Sequence, residues 1–194
     1  MRVLPRVFSI GTLALLSLAA ASSPARAELG LHAATHFGVG AMGTENPAEP
    51  NRSMGTFDLQ AMPGWRFPNS KFMAGMLIDY RFMTQLEEGV PITGETNFAG
   101  QSVHFGIGGT FETGDLKLLA TFDPLARHWA AVPTTTFKGS GLHLLAGIQF
   151  EPNWYIDIEY SEATYDEAGI MGRDQHLDPP NRHWNLGLGI SYSY

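Results

Sequence analysis

Ser102, Val103 and His104 set a hydroxyl and an imidazole two residues apart, the separation that puts both on one face of an extended chain. A carboxylate behind the imidazole would complete an acyl-transfer arrangement, and Glu159 is the candidate if cross-strand register brings it near. His32 and His36 also share a face, but along a strand they stand about 13 Å apart at roughly 3.3 Å per residue. One metal ion does not span that gap, so a metal centre would need ligands from neighbouring strands. The run Asp174-Gln175-His176-Leu177-Asp178 lacks the ordered spacing and turn glycine of a calcium loop. The sequence contains no phosphate-binding loop, dinucleotide fingerprint, zinc-protease helix or basic aromatic-laced patch. From these motifs no cofactor, no metal and no nucleic-acid partner is expected; Ser102, His104 and Glu159 stand as a weak catalytic alternative.

A second group of titratable residues is tied together by parity. Asp58, Arg66, Asp79, Arg81, Lys117, Asp157 and Glu159, with His32, His36, His104 and His143, fall on the less apolar face of alternating segments. Confined together they should pair, because an unpaired buried charge is costly. The chemistry expected of such a set is a charge network that fills an interior.

The elements that would position these groups are strands. The last residues, NLGLGISYSY, alternate Leu186, Leu188, Ile190, Tyr192 and Tyr194 with Asn185, Gly187, Gly189, Ser191 and Ser193. Successive strand side chains point to opposite faces, so one face is continuously apolar and the other nearly bare. Eight such segments follow one another from Leu29 onward. Tight turns are expected at 68–71, 112–115 and 151–153, and long polar connections at 42–54, 84–98, 124–138 and 166–182. The long connections carry charges such as Arg127, His128, Lys138, Asp166, Glu167, Arg173, Asp174 and Arg182, read as a solvated rim.

Residues 1–27 combine Arg2 and Arg6, an apolar run from Val7 to about Ala21 and the small-x-small site Ala25-Arg26-Ala27, the pattern of a secretory signal peptide. The remaining 28–194 make one domain with 9 basic and 19 acidic residues, a formal charge of -10. Cysteine is absent, so this exported chain is held by packing or sheet closure and not by disulfides.

A soluble sandwich dresses its outer face with charged and polar side chains; here the less apolar face is small and often glycine, and the other is almost unbroken Leu, Ile, Phe, Trp, Tyr and Met. Those faces fit lipid outside and a crowded lumen inside. Long and short connections in alternation fit extracellular loops and periplasmic turns. The expected fold is all-β: an eight-stranded antiparallel transmembrane β-barrel with up-and-down meander order, closed so that no strand edge is left unpaired in hydrocarbon.

On this alternation, loop pattern and aromatic terminal strand, residues 28–194 resemble the small eight-stranded outer-membrane barrels of Gram-negative bacteria, the OmpA-, OmpX- and opacity-protein-like group. The resemblance implies an outer-membrane location, contact with membrane lipid and lipopolysaccharide, and a monomer. It also implies recognition of Ile190, Tyr192 and Tyr194 by the barrel assembly machinery. Its functional expectation is a scaffold that displays four extracellular loops, with a possible surface ligand and a side-chain-filled lumen. The alternatives it leaves open are a lipid A-modifying acyl hydrolase or acyltransferase, for which the ordered motifs are missing, and a narrow channel for small solutes.

Overall fold

The strands form because large apolar and small residues alternate with a period of two, and hydrocarbon on one side and a packed lumen on the other reward that pattern. The structure, a computed structural model, describes residues 27–44, 52–85, 100–130, 135–170 and 173–194. These residues form β1 (Glu28–Thr44), β2 (Arg52–Arg66), β3 (Phe72–Gln85), β4 (Gly100–Thr113), β5 (Leu116–Ala130), β6 (Thr135–Glu151), β7 (Trp154–Ile170) and β8 (Arg173–Ser193). Apart from Ala27, the expected leader lies outside the described residues.

Each strand pairs antiparallel with its sequence neighbour, and β1 pairs with β8 to close the barrel in meander order. Closure runs from His32↔Ser193 to Thr44↔Asn181, and Leu31 and Tyr194 add two backbone hydrogen bonds of 2.9 and 2.8 Å at the end. In β8, Leu186, Leu188 and Ile190 are exposed on the barrel exterior while Asn185, Gly187, Ser191 and Ser193 are buried. The inside-outside assignment of the terminal strand therefore holds.

All three short turns carry a residue with positive φ: Asn69, Gly114 and Asn153. Asparagine and glycine are the residues that tolerate this region most readily. The opposite end of the barrel differs from the sequence expectation. Paired strand extends into all four stretches read as long connections, leaving only 45–51, 86–99, 131–134 and 171–172 outside the described residues.

The reason is phase, not loss of strand structure. Along β5, Lys117, Leu119, Thr121 and Asp123 point inward, and then Ala126, His128 and Ala130 do. One extra residue in β5 relative to β4 shifts the register between Phe105 and Ile107, and the ladder to β6 breaks between Asp123 and Ala126. Pro124, with no N–H to donate, sits in this bulge. The alternation resumes on the other parity, so a window across the bulge sees no period. His128, expected in a solvated loop, is buried inside the barrel.

A second irregularity, between Tyr165 and Glu167, separates the membrane part of the β7–β8 hairpin from an outer part paired Glu167↔His176 to Ile170↔Arg173. A 14-residue strand tilted about 40° climbs about 35 Å, more than the ~25 Å apolar band of such barrels. β1, β6 and β7, with 17 residues each, and β8, the longest with 21, exceed that need further, and the β7–β8 pair carries the excess into the outer hairpin.

Candidate functional site

The lumen can be read along single strands. From the short-turn end outward, β3 buries Met73, Gly75, Leu77, Asp79, Arg81 and Met83. Running the other way, β2 buries Met54, Thr56, Asp58, Gln60, Met62 and Gly64. Both give an apolar layer, a polar middle and a second apolar layer. The lower layer is Met62, Met73, Leu77, Leu119 and Leu145. The upper one includes Met42, Met54, Met83, Phe137 and Tyr165.

Arg81 organises the middle and is fully buried. Its Nη2 lies 2.7 Å from Glu159 Oε1 and 3.2 Å from Asp79 Oδ2, and its Nη1 donates to Ser161 Oγ at 2.6 Å. Glu159 is shared further: Gln60 Nε2 donates to its Oε2 at 2.7 Å, and His36 Nδ1 lies 2.9 Å from the same oxygen and 2.9 Å from Asp58 Oδ1. On the other side of Arg81, His143 joins Asp79 through Nε2 at 3.0 Å and Asp123 through Nδ1 at 2.6 Å. His104 Nδ1 faces the same Asp123 oxygen at 3.3 Å.

Glycines make room for this crowding. A Cβ on Gly106 would come within 2.2 Å of Asp123 Oδ1, and one on Gly147 would meet Asp157 Oδ1. Their absence of a side chain is what lets neighbouring carboxylates lie flat against the wall.

A separate knot closes the short-turn end. Lys117 Nζ contacts Ser191 Oγ, lies 3.5 Å from Asp157 Oδ1 and sits 4.3 Å from the Tyr155 ring centroid. Arg66 stands apart from the buried centre: its side chain is part-exposed and bridges Glu112 at 3.1 Å, with Ser193 Oγ donating to the same carboxylate at 2.6 Å. Of the expected network, then, Asp58, Asp79, Arg81 and Glu159 meet directly, Asp157 and Lys117 form the lower knot, and Arg66 belongs to the rim.

Ser102 and His104 are both fully buried on β4, but His104 is oriented by Asp123, while Glu159 is engaged by Arg81, Gln60 and His36. No hydrogen bond joins Ser102 Oγ to a partner among the described residues. Asp123 is absent from the inward set read from the sequence, although it continues the parity of Lys117, Leu119 and Thr121 as the last residue before the expected 124–138 connection.

Charge is unbalanced in the interior. Among the described residues, Asp58, Asp79, Asp123, Asp157 and Glu159 are buried carboxylates, against Arg81 and Lys117 as the buried fixed cations. Low-dielectric burial requires compensation, so the excess of three is met by protons, on the carboxyls themselves or on histidines, or by bound cations.

Comparison with known proteins locates the fold. Neither a protein-family model nor a curated protein sequence matches the chain. Solved structures do. Neisserial surface protein A aligns with 86% of this chain and 98% of its own at 16% identity and a TM-score of 0.53. Ail, the attachment invasion locus protein of Yersinia pestis, in its complex with the heparin analogue sucrose octasulfate, aligns over 86% of this chain and 99% of its own at 15% identity and a TM-score of 0.50. Together with the closed meander and its apolar exterior, these likenesses establish the architecture: the chain is an eight-stranded antiparallel outer-membrane β-barrel, with the fold of the small barrels of Gram-negative outer membranes.

Proposed function

We propose that this protein is a non-conducting outer-membrane scaffold whose sealed barrel supports an outer β-extension and its loops as a surface-interaction platform. The layered lumen carries this reading. Two apolar layers of Met, Leu, Phe and Tyr stand on either side of a buried ion-pair centre. A hydrated ion would have to shed water at each layer, and eight-stranded barrels are narrow enough for side chains to fill them. The rigid wall then holds the projecting β7–β8 hairpin, where Lys138 and Asp174 pair at 2.5 Å across the outer surface. Membrane lipid and lipopolysaccharide would contact the exterior, and Ile190, Tyr192 and Tyr194 would present the terminal strand to the assembly machinery.

Planar-bilayer recording of the tag-free folded barrel tests the reading. Flat current at applied voltages of either sign supports a sealed scaffold; reproducible unitary steps favour the narrow-channel alternative. Replacing 166–181 by a short turn should abolish adhesion to a surface ligand while the unboiled protein keeps its heat-modifiable gel mobility. If adhesion survives, the platform lies elsewhere.

A further inference from the structure

We infer that the outer half of the lumen is a binding site for one divalent transition-metal ion of the zinc class, held by His104, His143 and Asp79, with Asp123 behind the two imidazoles as the carboxylate that orients them. This goes beyond the scaffold reading and does not depend on it. One ring nitrogen from each of His104 and His143 and a carboxylate oxygen of Asp79 lie within 4.8 Å of one another. Donors around a tetrahedral zinc at about 2.1 Å stand about 3.4 Å apart, so small rotations of these side chains close the set. Asp123 is already in contact with both imidazoles, at 3.3 Å from His104 Nδ1 and 2.6 Å from His143 Nδ1.

A second observation points to a ligand. His104 Nε2 and Asp79 Oδ1 are fully buried and have no hydrogen-bond partner among the described residues. His128 and His183, also buried, have no hydrogen bond at either ring nitrogen. Three histidines with unmet lone pairs or N–H groups in one interior are expensive unless something binds there. Register places His128 opposite Ser102, one inward position beyond His104 toward the outer end, so it lies on a route of imidazoles into the site.

Two carboxylates and two neutral imidazoles neutralise a divalent cation, and imidazole favours zinc, nickel or copper over magnesium or calcium. Such an ion would supply two of the three positive charges that the buried carboxylates lack. The sister cluster His36, Asp58 and Glu159 has comparable spacing, and His36 Nε2 and Asp58 Oδ2 also lack a hydrogen-bond partner among the described residues, but its third donor, Glu159, is already held by Arg81 and Gln60.

The probe is zinc alone, with cobalt as its spectroscopic substitute, added to tag-free, chelator-treated full mature barrel in micelles. Titration should show one saturable site per chain and a tetrahedral cobalt absorption. His104→Asn and His143→Asn should each weaken zinc binding at least about tenfold, the cost typical even of outer-sphere changes at metal sites. His176→Asn, at the exposed histidine of the outer hairpin, should leave it unchanged. Heat-modifiable mobility verifies that each variant is folded. Absence of saturable binding to the wild-type barrel overturns the inference without any variant, as does binding lost with His176→Asn and retained in both lumen variants.

Discussion

Replacing Arg81 by Met removes the cation that joins the two halves of the polar centre while keeping a long side chain in place. The guanidinium contacts Glu159 at 2.7 Å, Asp79 at 3.2 Å and Ser161 at 2.6 Å, and every ionic partner is buried. Breaking a buried pair from one side leaves uncompensated charge and costs about 3–5 kcal/mol. Glu159→Gln removes one of the carboxylates so exposed, and the double variant should recover part of the loss, with a coupling of about 1.5–3 kcal/mol. Equilibrium urea unfolding from vesicles, followed by tryptophan fluorescence, measures this. All four tryptophans, Trp65, Trp129, Trp154 and Trp184, lie on the exterior, so emission reports departure from lipid. Bilayer recordings of Arg81→Met should remain flat, because the Met and Leu layers above and below are untouched. A destabilisation under about 1 kcal/mol with no coupling to Glu159 would refute the ion-pair account, and channel opening by this single change would refute the layered seal.

Leu188→Lys puts a charge on the lipid face at a position 65% exposed, and should cost about 2–4 kcal/mol in vesicle unfolding, whereas Ser191→Thr inside the wall should cost much less; equal losses would contradict the assigned faces. Gly106→Val should displace the Asp123 carboxylate it abuts and lower the urea midpoint, with Gly114→Val, whose Cβ would meet no atom within 4 Å but whose φ is positive, as a turn-strain comparison. Deleting Pro124 leaves Leu125 as the single outward residue between Asp123 and Ala126, so alternation runs unbroken with His128 and Ala130 still inward, and the heat-modifiable form should still be obtained; its loss would show that the bulge itself is needed for folding.

How much of this was legible in sequence depends on what preserves parity. From Phe72 to Met83, and again from Asn185 to Tyr194, alternation runs uninterrupted, and each lipid-facing and lumen-facing residue there could be assigned by counting. At Pro124 and at Asp166 an extra residue flips the count, so paired strand beyond those points looked like loop, and His128 was placed in solvent. Counting from the far side of each irregularity recovers the pattern: Ala126, His128 and Ala130 keep a period of two among themselves.

The centre of the lumen posed a different difficulty, since parity names the inward residues without saying which of them meet. Asp79 faces His104 across β3 and β4, and His36 faces Asp58 across β1 and β2; those pairs follow from register. Arg81 reaching Glu159 and Ser161 on β7, or Asp79 reaching His143 on β6, is contact across the lumen and needs the closed ring. That is why spacing along β1 bears only on whether His32 and His36 could share an ion, and is silent about clusters drawn from several strands. Closure of the barrel converts a list of inward charges into a compact interior in which, among the described residues, five carboxylates confront two fixed cations. The imbalance is therefore a property of the ring, and whatever supplies the missing positive charge, protons on imidazoles or a metal ion among them, is bound by the fold as a whole and not by any one strand.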